Sequence, residues 1–318
     1  MEFLQKISLT CFTASYLVVF ALEMCRVFLA TDLVRSKRFQ LLIFLATTAG
    51  LFAHSAFLAH HGGLGTGGFW VGHWFGWCLV GSWVLVIAYL WIFIRQPGSV
   101  MGLFIFPAVL GLILFGSQFS STALFTSRHI RSGWNMVHGG SLLLGTVIVA
   151  LGCVFGIVYL VQSYRLKRKF TSASWLRLPS LEWLQRSAES SLLTSAVLLG
   201  IGLMSGVIIA QSPLRETSGE PATGGGSLWW DPVVWTSAIL FAWLVLATTF
   251  SLCYRPARQG RKVAYLVMAS FLFLMLELLI VWWMGHAMDK SEIVLTVTDS
   301  GKPLESPVGF LFQRGGGR

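Results

Sequence analysis

"WNMVHGGSLLLGTVIVALGCVFGIVYLVQSYRLKRK", residues 134–169, decides the class of this protein. From Met136 to Val161 it holds no Asp, Glu, Lys or Arg, and it closes on Arg165, Lys167, Arg168 and Lys169. A helix rises ~1.5 Å per residue and the hydrocarbon core of a bilayer is ~30 Å thick, so about 20 apolar residues cross it. The stretch is long enough, shows no period-two alternation, and reads as a membrane-spanning helix with a basic cuff at one end.

Seven further runs of this kind lie outside it, at roughly 7–30, 40–60, 74–95, 100–117, 191–211, 232–254 and 263–286. Composition agrees: 55% of the 318 residues are hydrophobic and 11% charged, against about 25% charged in a soluble domain. The expected fold is an all-α integral membrane protein, a bundle of about eight transmembrane helices. The first run is too long for the apolar part of a signal peptide and reads as a retained span. No repeat is visible. The expected organisation is one membrane domain over residues 1–288, then a flexible extracytoplasmic tail, 289–318, ending in "RGGGR".

Orientation follows from the basic residues. The turns opposite the N-terminus carry Arg26, Arg35, Lys37, Arg38, Arg95, Arg165, Lys167, Arg168, Lys169, Arg177, Arg186, Arg255, Arg258, Arg261 and Lys262, which is 15 of the 23 Lys and Arg. By the positive-inside rule both termini are extracytoplasmic. A basic rim on anionic membrane lipid accounts for most of the net charge of +10 without nucleic acid. "YRLKRKF" followed by "LPSLEWLQRS" reads as a basic, partly amphipathic segment on that inner surface.

All seven histidines then fall at or near the outer face: His54, His60, His61, His73, His129, His138 and His286. Interface preference alone would populate both faces. Tryptophan repeats the bias, with Trp70, Trp74, Trp77, Trp134, Trp229, Trp230, Trp235, Trp282 and Trp283 outside and only Trp91, Trp175 and Trp183 inside. Imidazoles that ligate iron, beside indoles that stack on a flat macrocycle, are what a non-covalent haem site requires. Arg128, Arg131 and Arg215 are the outer-loop arginines available to haem propionates; solvated loop charge is the plainer reading of each. In "GGGSLWWDPVVW", residues 224–235, Asp231 and Pro232 suit the N-cap and first position of a helix. Trp229, Trp230 and Trp235 there either anchor the interface or pack on and beside a porphyrin.

The order of these elements resembles the cytochrome c assembly protein family, CcsA/ResC type, of System II cytochrome c biogenesis. The stretches that carry the likeness are "GLFAHSAFLAHH", the 134–169 segment, "LPSLEWL", "WWDP" and "WMGHAM". The resemblance implies that a tryptophan-rich outer loop, W-G-x-x-W-x-W-D, holds haem b non-covalently against two histidines. It maps these onto His138 and His286, with Trp230 and Asp231 as the closing W-D and Gly225 as the glycine. Gly224 and Leu228 stand where the family has tryptophans, and the family's intramembrane histidine is absent near Thr248 and Thr249. The implied partners are a CcsB/ResB-type membrane subunit and apocytochrome c with its C-x-x-C-H.

Cys11, Cys25, Cys78, Cys153 and Cys253 lie in or at the ends of spans, with no C-x-x-C among them, so the chain is neither its own covalent haem carrier nor a thiol oxidoreductase. Glu23 and Glu277, costly in lipid, are expected to face the bundle interior or a partner. The expected function is haem presentation at the extracytoplasmic face of the cytoplasmic membrane, with no self-contained catalytic motif. The alternatives are a haem-free scaffold or transporter of the same fold, and a b-type electron-transfer cytochrome.

Overall fold

The structure is a computed structural model that describes residues 9–29, 36–61, 74–96, 98–118, 133–168, 178–211, 232–253 and 261–299. For 61, 133, 210–211, 232–233 and 281–299 it describes the backbone alone. Among these residues nearly all are helical and none is in a strand. Eight helices follow in order: α1 Leu9–Phe28, α2 Lys37–His61, α3 Trp74–Arg95, α4 Gly102–Gln118, α5 Gly133–Lys167, α6 Leu181–Gln211, α7 Pro232–Cys253 and α8 Arg261–Asp299. Seven are long and apolar enough to cross a membrane, and α4 is the shorter one. The protein is an all-α integral membrane bundle. Met1–Met275 and Leu276–Arg318 form two compact units.

Helix starts obey local chemistry. Ser36 caps α2, its hydroxyl accepting the Phe39 N–H at 3.2 Å, and Ser180 caps α6 by accepting from Trp183 at 3.3 Å. α7 opens on Pro232, which needs no N–H partner in a first turn. The second half of the expected surface segment, "LPSLEWLQRS" at 178–187, runs into α6 from Leu181 onward, so the same helix carries these polar turns and the span that follows. No breaker follows the Ser180 cap, so one helix runs from the polar turns into the span. The last helix likewise runs to Asp299.

Between α3 and α4 the sequence reads Gln-Pro-Gly-Ser. Ser99 N donates to Gln96 O at 3.1 Å, and Gly98 sits at φ 92°, a left-handed conformation that favours glycine. The turn brings α4 back along α3 and against α1.

Helix association in lipid has no hydrophobic driving force between spans and relies on close packing and interhelical hydrogen bonds. Small residues supply the first. A Cβ at Gly156 of α5 would stand 2.8 Å from Val267 Cγ2 and 3.1 Å from the Ala264 carbonyl, and one at Gly145 would stand 2.9 Å from Leu199. Indole N–H groups supply part of the second: Trp83 donates to Ser55 at 2.9 Å and Trp243 to Ser270 at 3.0 Å. Large apolar side chains such as Phe52 and Met204 point outward, as lipid-facing positions should.

A buried polar pin links α1, α3 and the α3–α4 turn. Glu23 is fully buried; its Oε1 accepts from Tyr89 OH at 2.6 Å and faces Arg26 Nη1 at 3.5 Å. Arg26 Nη1 also donates to the Ser99 carbonyl at 3.3 Å, so the cluster grips the α3–α4 turn. Gly102 makes room, since a Cβ there would lie 2.8 Å from Glu23 Cγ and 2.9 Å from Tyr89 Cε2. The expectation that Glu23 faces the interior holds.

Candidate functional site

His138 stands near the start of α5, on the second turn, where the helix packs against α6. Its Nδ1 lies 2.7 Å from the Gly202 carbonyl oxygen. A carbonyl only accepts, so Nδ1 carries the proton and Nε2 is left as the lone-pair nitrogen. Ring N–H to backbone carbonyl is the arrangement that orients a metal-ligating imidazole and raises its basicity. The ring is part-buried.

The seat is made by α6. Gly202 and Gly206 are four residues apart, so they share a face. A Cβ at Gly206 would meet His138 Cε1 at 2.9 Å, Nδ1 at 3.1 Å and Nε2 at 3.8 Å. Gly202 admits Leu142, whose Cδ2 would lie 2.6 Å from a Cβ there. Ser205, buried, donates its hydroxyl to the same Gly202 oxygen at 2.8 Å. Gly-Leu-Met-Ser-Gly, residues 202–206, was readable as a small-xxx-small packing motif, but nothing local marked it as the bed of an imidazole.

Of the other expected site residues, Trp235 is exposed on the first turn of α7. Trp134, one turn before His138, is exposed as well. His286 lies in α8, and its side chain is outside the described residues, as are Trp229, Trp230, Asp231, Arg128, Arg131 and Arg215. Among the described residues no group of three or more His, Cys, Asp or Glu side chains could hold a metal ion. The five cysteines are free thiols.

His54 is a different kind of histidine. It is fully buried among α1 and α2, stacked on Phe12 with centroids 4.3 Å apart and planes 2° from parallel. Its Nδ1 is hydrogen bonded to Tyr16 OH at 3.1 Å, while Nε2 has no partner. It belongs to the core of the α1–α2 pair rather than to the rim that carries His138.

The cytochrome c assembly protein family matches residues 82–288. That span runs from within α3 into α8 and includes His138, its α6 seat and His286; α1 and α2 lie before it. No match is found among curated proteins. None is found among solved structures. With about two thirds of its length in the match, and the predicted order of spans in place, the chain belongs to the cytochrome c assembly protein family.

Proposed function

We propose that this cytochrome c assembly protein holds haem b non-covalently at the extracytoplasmic face of the cytoplasmic membrane and presents it to apocytochrome c. The reading is carried by one observation: His138 donates Nδ1–H to the Gly202 carbonyl at 2.7 Å, leaving Nε2 as a free imidazole donor on a part-exposed ring. The chemistry of this residue fits a haem iron. His286 is the second ligand in this proposal, with Trp229, Trp230 and Trp235 against the porphyrin, Asp231 closing the loop, and Arg128 and Arg131 at the propionates. A CcsB/ResB-type subunit is the proposed membrane partner.

Haem here is cargo. It supplies two vinyl groups, each of which takes up one Cys S–H of the C-x-x-C-H substrate to form a thioether, with no atom lost. The chain's own part is to orient the macrocycle, keep its edge reachable and exclude water from its faces.

Full-length protein purified from membranes should show a low-spin Soret spectrum, and His138→Ala should convert it to a high-spin form or remove it. An unchanged spectrum in a His138→Ala, His286→Ala double variant rejects the ligand assignment. Absence of haem from the wild-type protein, after reconstitution with hemin, favours the scaffold reading.

A further inference from the structure

We infer that α6 sets both which nitrogen of His138 ligates and how strongly it donates: Gly206 is the positioning residue for the ring, and Ser205 tunes it through the shared Gly202 carbonyl. The inference rests on the reading of His138 as a haem ligand.

Two observations carry it. First, all three nearest neighbours of a Cβ at Gly206 are atoms of the His138 ring, at 2.9, 3.1 and 3.8 Å. A glycine kept only for helix packing would abut the partner helix's backbone or an apolar side chain, as Gly156 and Gly200 do. An imidazole is rigid, so a methyl group there turns the whole ring away from the Gly202 oxygen. Second, that oxygen serves two side chains, His138 Nδ1 at 2.7 Å and Ser205 Oγ at 2.8 Å, besides the helical N–H four residues on. Donors sharing one acceptor weaken one another. Removing the Ser205 hydroxyl strengthens the His138 bond, shifts the imidazole toward imidazolate character and makes Nε2 the better donor to iron, which favours the ferric state.

The test uses full-length protein in detergent, reconstituted with hemin: wild type, Ser205→Ala and Gly206→Ala, read by absorption, electron paramagnetic resonance and redox titration. Histidine-selective 15N resonance of the haem-free proteins reads the tautomer directly. Ser205→Ala should keep the low-spin spectrum and lower the midpoint potential. Gly206→Ala should lose the Nδ1-protonated signal of His138 and the low-spin spectrum, and added imidazole should restore the latter, which a folding defect would not allow. A wild-type potential in Ser205→Ala, or a wild-type spectrum and tautomer in Gly206→Ala, overturns the inference and leaves the haem reading intact. Failure of the wild type to bind hemin, or His138→Ala with an unaltered spectrum, overturns both. Should Gly206→Ala not fold, Ser205→Ala decides alone.

Discussion

Replacing Tyr89 by Phe removes one oxygen atom and leaves the ring, so no cavity forms. What is lost is the 2.6 Å hydrogen bond to Glu23 Oε1. Interhelical hydrogen bonds inside membranes contribute about 0.6 kcal/mol on average and up to about 1.7; bonds to charged partners in soluble proteins contribute about 1.5–3. This one belongs at the upper end of the membrane range for three reasons. It is short; Glu23 is fully buried; and Oε2 already lacks a partner, so the carboxyl group would keep only Arg26 at 3.5 Å. The expected loss is about 1.5 kcal/mol in reversible unfolding by SDS titration from mixed micelles. A double-mutant cycle with Glu23→Gln isolates the pair and should return a coupling of about 1 kcal/mol. Additivity to within about 0.5 kcal/mol would refute the argument, because the two side chains would then not depend on each other.

The packing argument makes a paired prediction. Gly156→Ala should destabilise by about 1–3 kcal/mol, since its methyl group would press on Val267 and the Ala264 carbonyl, whereas Gly111→Ala, with nothing within 4 Å, should be neutral or stabilising by up to about 1 kcal/mol; thermal melts in detergent separate them, and equal effects would contradict the α5–α8 contact. Tyr16→Phe strips the buried His54 ring of its hydroxyl partner and should cost about 1–3 kcal/mol in the same unfolding assay. The haem spectrum of that variant should be unaltered, since His54 is not part of the His138 site.

The sequence alone determined the class, the eight helices among the described residues and most of their limits. Hydrocarbon accepts only a contiguous apolar stretch with its backbone bonded internally, and that is a local property a linear reading detects. The first turn at Pro232 and the basic cuff after α5 were legible for the same reason. α6 starts at Leu181 and α8 continues to Asp299, beyond the apolar runs at 191–211 and 263–286, because hydropathy marks a membrane's thickness and not a helix's end.

His138 was singled out by the family resemblance of W-N-M-V-H at the start of the 134–169 segment; the Gly202 carbonyl that its Nδ1 meets was not. Gly202 is 64 residues away, Tyr89 is 66 from Glu23, and Tyr16 is 38 from His54. Helices that are apolar all round carry no stripe to tell a lipid-facing side from a bundle-facing one. Rotation about each axis is therefore set only when neighbouring spans meet. That choice, made by the close approach of α5 to α6 and of α1 to α3 and α4, decides which polar groups become bonded pairs and which nitrogen of His138 stays free.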